Sequence, residues 1–254
     1  MSGEAVYISS RQNPYVMRVA SLSDNKGRAR EGLFKFGGFK LFSEAVACGL
    51  DIERVILRED VAKKLEGEVR RVMPNADICV FSEYAFDKVS DEKSPEGIIT
   101  VAKHIDKITK IATIDNIANL LPMDSTVIAL ESLRDPGNLG TILRSAAAFG
   151  VDRVILSADC AELYNPRTLR AAMGAAFKLP TVRVDDLPAA LTAAGYERCA
   201  QIEGPGQFAV RGGIVDVYAA QNAADEKSGG VFLTLLRIPA GFHGNEISSD
   251  IQLL

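Results

Sequence analysis

The sequence predicts an α/β protein, a parallel sheet with helices on both faces preceded by a small α/β domain. Three observations lead there. In the second half of the chain, short apolar runs rich in β-branched residues alternate with stretches of helical periodicity. Residues 125–156 form one β-loop-α-β unit, so its two strands should be parallel with a right-handed crossover. A separate series of helix and strand signals fills residues 1–105.

Within 1–105 the signals run in order. Leu41 to Cys48 reads as a helix stopped by Gly49. Val55 to Leu57 is a short strand. Val61, Ala62, Leu65, Val69 and Val72 recur at helical spacing, and Pro74 lies just beyond them. Ile78 to Phe81 is a strand, and Ile98 to Ala102 another, entered through the turn-rich Ser94, Pro95, Glu96 and Gly97. Residues 106–124 are read as the connection and 125–254 as the second domain.

The second domain opens with Thr126 to Leu130, an apolar run that fits a strand buried on both faces. Leu139, Ile142, Leu143, Ala146 and Ala147 give one apolar helical stripe, closed by Gly150. Val154 to Leu156 is the next strand. Arg167 to Phe177 reads as one helix that contains Gly174; Asn165 and Pro166 fit its start, as cap and first-turn residue. Thr181 to Val184, then a helix from Leu187 to Ala194, then a strand from Tyr196 to Ile202 complete the alternation. Val210 to Tyr218, with Gly212 and Gly213 between, suits two strands and a turn.

Composition narrows the function. Hydrophobic content is 47% and charged content 24%, ordinary for a globular protein, and no apolar run reaches membrane-span length. The opening MSGEAVYISSRQNP has no signal-peptide core, so a cytoplasmic protein is expected. Cys48, Cys79, Cys160 and Cys199 are scattered without a CxxC pair, which speaks against a zinc site or disulfide framework. His104 and His243 have no partners at triad or metal spacing, so no metal is expected. The loop Arg134–Gly140 has only Gly137 and Gly140, short of a dinucleotide-binding fingerprint. Net charge is −4, yet residues 1–40 hold seven Lys or Arg against three acids. Such a local excess suits phosphate contacts as well as it suits a solvated surface.

Two long stretches carry a resemblance. DPGNLGTILRSAAAFGVDRVILS is similar to the first signature motif of the SpoU (TrmH-like) RNA 2′-O-ribose methyltransferases of the SPOUT superfamily. NPRTLRAAMGAAFKLP is similar to the family's next segment, and ISSRQNPYVMRVASLSDNKGRAREGLFKFGG resembles the opening of its small RNA-binding domain. The resemblance implies a SPOUT-like fold, S-adenosylmethionine as cofactor, ribosomal or transfer RNA as substrate, and a homodimer. It assigns catalysis to Arg144 and Asn138. With the basic excess of the opening segment, RNA contacts are expected at Arg11, Asn13, Lys26, Arg30, Asn165 and Arg170.

Beyond Ile202 the chain departs from the family pattern. Ile238, Pro239, Ala240 and Gly241 are similar to the start of the third motif; Gly244, Asn245 and Glu246 are similar to the second. They come in the reverse of the family's order. The cofactor is expected against Gly244, Asn245 and Glu246, with Ile238 and Leu130 beside them. An RNA-binding protein that keeps the fold without methyl transfer is the alternative reading.

Overall fold

The computed structural model describes residues 5–105, 109–112, 126–193, 195–204, 206–211, 214–218 and 232–236. It divides into two compact units, Met1–Ile105 with Glu162–Phe177, and Asp106–Ala161 with Lys178–Leu254.

The first unit is built on β1 (Val6–Ile8), β2 (Leu33–Gly37), β3 (Ile52–Arg58), β4 (Ile78–Phe81) and β5 (Ile98–Lys103). They form a mixed sheet in the order β1-β4-β3-β5-β2. Its central strand is buried on both faces. Val55 and Leu57 join a core with Phe42, Leu65 and Val69, while Ile56 between them joins Val16, Val19, Phe81 and Phe86. The expected strands and the helices α3 (Phe39–Ala47) and α4 (Glu59–Val72) are all present, and α5 (Glu83–Val89) adds a turn-capped helix after β4.

The basic opening folds as two helices. Asn13 caps α1 (Pro14–Ser21), accepting from the Tyr15 amide at 2.9 Å; Asp24 caps α2 (Asn25–Glu31), accepting from the Gly27 amide at 2.7 Å. A Cβ at Gly27 would lie 1.9 Å from the Ser21 carbonyl oxygen, so only glycine lets the two helices meet this closely.

The segment expected as one helix, Arg167 to Phe177, is broken. It forms α7 (Pro166–Ala172) and α8 (Ala175–Lys178), separated by Met173 at φ 50° and Gly174 at φ 88°. A side chain at Gly174 would be strained and would press on Glu44 at 3.1 Å, so the glycine is a bend and not a helix interior. Glu162–Phe177 belongs to the first unit. Tyr164 stacks on Phe34 and on His104, each at 4.5 Å between ring centroids, and its hydroxyl accepts from the Ile105 amide at 2.7 Å.

The second unit holds β6 (Thr109–Ala112), β7 (Thr126–Leu130), α6 (Pro136–Ala148), β8 (Arg153–Ser157), β9 (Thr181–Val184), α9 (Leu187–Ala193) and β13 (Phe232–Leu236). The five strands form one sheet, parallel throughout, in the order β13-β7-β8-β9-β6. Val127, Ala129, Ile155, Val182 and Val184 pack with Leu187, Ala190 and Leu191 of α9, Tyr196 and Phe208.

Three expectations are corrected here. Part of the presumed connection is a strand, since β6 pairs with β9. Tyr196 to Ile202 does not extend the parallel sheet. Only β10 (Glu197–Arg198) forms, and it pairs with β11 (Gln207–Arg211) in a separate three-stranded sheet. The helical stripe is narrower than expected: Leu139, Leu143 and Ala146 are buried, but Ala147 is exposed. The expected pair of strands around Gly212 and Gly213 is present as β11 and β12 (Ile214–Tyr218), antiparallel with Arg211 opposite Ile214.

Candidate functional site

In a parallel sheet, ligand sites lie at the carboxyl ends of the strands. In the second unit that end is formed by Leu130, Leu156 and Leu236, which are in register on three adjacent strands. Leu130 is fully buried there. The loop from Glu131 to Asp135 follows, and Asp135 caps α6 by accepting from the Asn138 amide at 2.8 Å. Asn138 is 8% exposed in the first turn. Thr141 and Arg144 follow at three-residue steps and are exposed, off the buried stripe of Leu139, Leu143 and Ala146. Among the described residues no acid pairs with Arg144, so its guanidinium is free to meet an incoming anion.

The β7–α6 loop is tied to the loop after β8. Ser132 donates its amide to Ser157 Oγ at 2.9 Å and its hydroxyl to Asp159 Oδ2 at 2.7 Å; Ser157 donates to Asp159 Oδ1 at 2.7 Å. These hydroxyls, Ser132 first, hold the Asp159 carboxyl below the usual carboxylate range. Cys160 donates its thiol to the Leu130 carbonyl at 3.2 Å, and the Ala161 amide donates to the Leu133 carbonyl at 2.7 Å. Sequence reasoning missed Ser132, Ser157, Asp159 and Cys160. No local pattern marks them, because they meet only when two strand ends lie side by side.

In the first unit the expected RNA contacts fall into two kinds. Asn13 and Asn165 are helix caps, Asn165 accepting from the Arg167 amide at 2.9 Å. Arg11 donates to the Tyr84 carbonyl at 2.5 Å, with its guanidinium 3.7 Å from the Tyr84 ring centroid. Arg170 is exposed, 3.5 Å from Glu92. Lys26 and Arg30 are exposed one turn apart on α2, and Arg30 pairs with Glu31 at 2.8 Å. Two of the seven cations of the basic opening are not on the surface. Arg28 and Lys35 are 2% and 1% exposed, pairing with Glu162 and Asp91. Burial pulls the Lys35 ammonium below its ordinary pKa, against the pull of Asp91. Ile238, Gly244, Asn245 and Glu246 lie outside the described residues, as does the tail that would hold the cofactor motifs.

Residues 125–204 match the SpoU rRNA Methylase family, and residues 13–100 match the MRM3-like substrate binding domain. The 23S rRNA (guanosine(2553)-2′-O)-methyltransferase RlmP of Bacillus subtilis is 30% identical over 190 residues, 72% of this chain and 69% of the relative. The chain belongs to the SpoU rRNA methylase family. An uncharacterized tRNA/rRNA methyltransferase of Synechocystis is also 30% identical, over 74% of this chain and 66% of the relative. The chain thus spans about two thirds of the length of these SpoU relatives. The crystal structure of an rRNA methyltransferase from Sinorhizobium meliloti matches with a TM-score of 0.66 and 25% identity, covering 95% of this chain and 85% of that one. The SPOUT-like α/β fold expected from the motifs is therefore the fold of this SpoU chain.

Proposed function

We propose that this chain methylates a ribose 2′-hydroxyl in ribosomal RNA, with S-adenosylmethionine as the methyl donor. The observation that carries the reading is Arg144, an exposed cation two turns into α6, the helix that starts at the carboxyl end of β7, within the stretch that resembles the SpoU motif. S-adenosylmethionine supplies an electrophilic methyl group. The apolar Leu130, at the carboxyl end of β7, suits the methionine and adenine portions of such a ligand. The motif residues Ile238, Gly244, Asn245 and Glu246 follow β13 in the sequence and are proposed as the rest of that pocket.

Arg144 acts as a fixed cation. An arginine with a pKa above about 12 is a poor base, so its role is to stabilise the developing 2′-alkoxide while the proton passes to a phosphate or water. Asn138 orients the same oxygen. Incubation with methyl-tritiated S-adenosylmethionine and unmodified 16S and 23S rRNA transcripts tests the reading. A blocked 2′-oxygen resists alkaline cleavage, so label should appear in an alkali-resistant dinucleotide. Label in mononucleotides alone would mean base methylation and would defeat the proposal.

RNA is held by the first unit, through Lys26 and Arg30 on α2 and through Arg11 and Arg170. Replacing Lys26 and Arg30 by alanine should weaken different rRNA fragments by similar factors. It should also flatten the plot of log affinity against log salt by about 0.7–0.9 for each phosphate no longer neutralised. An unchanged slope would leave α2 a solvated helix.

The active form is proposed to be a cytoplasmic homodimer. Phe149 is 85% exposed just beyond α6, beside exposed Ala147 and Ala148. A second copy covering this apolar face would remove it from water. Sedimentation velocity should show a dimer for the natural protein and a monomer for Phe149→Asp. A monomeric natural protein would sink the assembly.

A further inference from the structure

Ser132 lies at φ 53°, a region an L-residue with a side chain rarely adopts. Such a backbone persists only where its surroundings over-determine it, and these positions concentrate at functional sites. Asp159 and Ser157 together hold Ser132. One carboxylate oxygen takes the Ser132 hydroxyl and the other takes the Ser157 hydroxyl, whose oxygen in turn accepts the Ser132 amide. Arg134, on the same loop, reaches Asp159 at 3.4 Å. None of these bonds belongs to the strand pairing of β7 with β8, which ends at Leu130 and Leu156. They bind one loop to the other, and the bound loop ends at Asp135, the cap on the Asn138 amide.

We propose that Asp159 is the positioning residue of the transfer reaction, setting the β7–α6 loop and through it Asn138 and Arg144. The inference rests on the transfer reading above. Asp159 does not touch substrate in this role. It supplies two acceptors and no donor, which a carboxylate alone can do. Asparagine would force one hydroxyl to reverse, and alanine would remove both carboxylate bonds, leaving the Ser132 amide on Ser157 Oγ and the Ala161–Leu133 bond. A loop released by a fraction of an ångström to an ångström moves the start of α6, and misplacement on that scale costs about 10²-fold in rate.

The experiment combines hydrogen exchange with steady-state methyl transfer to a 23S rRNA transcript. In Asp159→Ala, amides of residues 131–138 should exchange faster, while 126–130 and 153–157 keep their protection. The kcat should fall by about 10²-fold with KM for RNA changed less than threefold. Asp159→Asn keeps the shape, and Ser132→Gly keeps the backbone while removing the hydroxyl. Both should show the same pattern at smaller scale, so collapse of the alanine variant does not decide the matter. Unchanged loop protection, or a loosened loop with unchanged kcat, would overturn the proposal. So would a loss confined to KM. If the natural protein methylates no rRNA, the transfer reading falls, and a loop that keeps its protection without Asp159 removes the positioning role as well.

Discussion

Arg144→Ala is expected to abolish methyl transfer while leaving the fold intact. Loss of one preorganised charge stabiliser costs about 10²–10³ in kcat. Here the loss should reach the upper end, because no other described cation lies on the same helix face. The folded state should be indifferent. Arg144 is exposed, off the buried stripe of Leu139, Leu143 and Ala146, and alanine is the better helix former. Arg144→Lys should recover part of the rate, keeping the charge but not the planar fork of donors. Circular dichroism and the transfer assay together check this. Full activity in the alanine variant, or an unfolded one, would show the assignment to be wrong.

The largest stability effect is expected at Glu162→Ala. Arg28 is 2% exposed, and Glu162 meets its guanidinium through two donors, Nε at 3.2 Å and Nη2. A third donor, Nη1, reaches the Leu22 carbonyl at 2.8 Å. Removing the carboxylate strands a buried cation, which costs about 3–5 kcal/mol. Removing both charges together, as in Arg28→Met with Glu162→Leu, should cost far less, since a well-packed apolar pair often equals a buried ion pair. Urea denaturation of the three proteins separates these outcomes. A loss below about 1 kcal/mol in the single variant would mean that water or another group replaces Glu162. The pair also anchors Glu162–Phe177 in the first unit, so the same variant should open that segment to protease.

Most regular elements were legible because their signals are local. Val55–Leu57, Ile78–Phe81, Ile98–Ala102, Thr126–Leu130 and Thr181–Val184 are apolar runs bounded by turns, and each is a strand. The stripe at Leu139, Leu143 and Ala146 placed α6, and with it the candidates, Asn138 buried in the first turn and Arg144 exposed. Leu33–Gly37 was not legible as a strand. It reads LFKFG inside a basic stretch, and Lys35 looks like a surface charge until Val89 and Asp91 close over it. The break at Met173 and Gly174 was hidden as well, because a glycine inside a helical pattern does not announce its φ.

By itself, the sequence determined the class of fold, the β-loop-α-β unit and the stretches that resemble the SpoU motifs. These follow from periodicity and from motifs within some thirty residues of chain. Tertiary structure alone decided which charges are surface and which are buried. It sent Arg28 and Lys35 inward and left Lys26 and Arg30 outside. It also brought Ser132 against Asp159, from loops that follow different strands. Burial and cross-loop hydrogen bonds depend on which segments become neighbours, and that pairing is fixed by sheet order, which no local window of sequence contains.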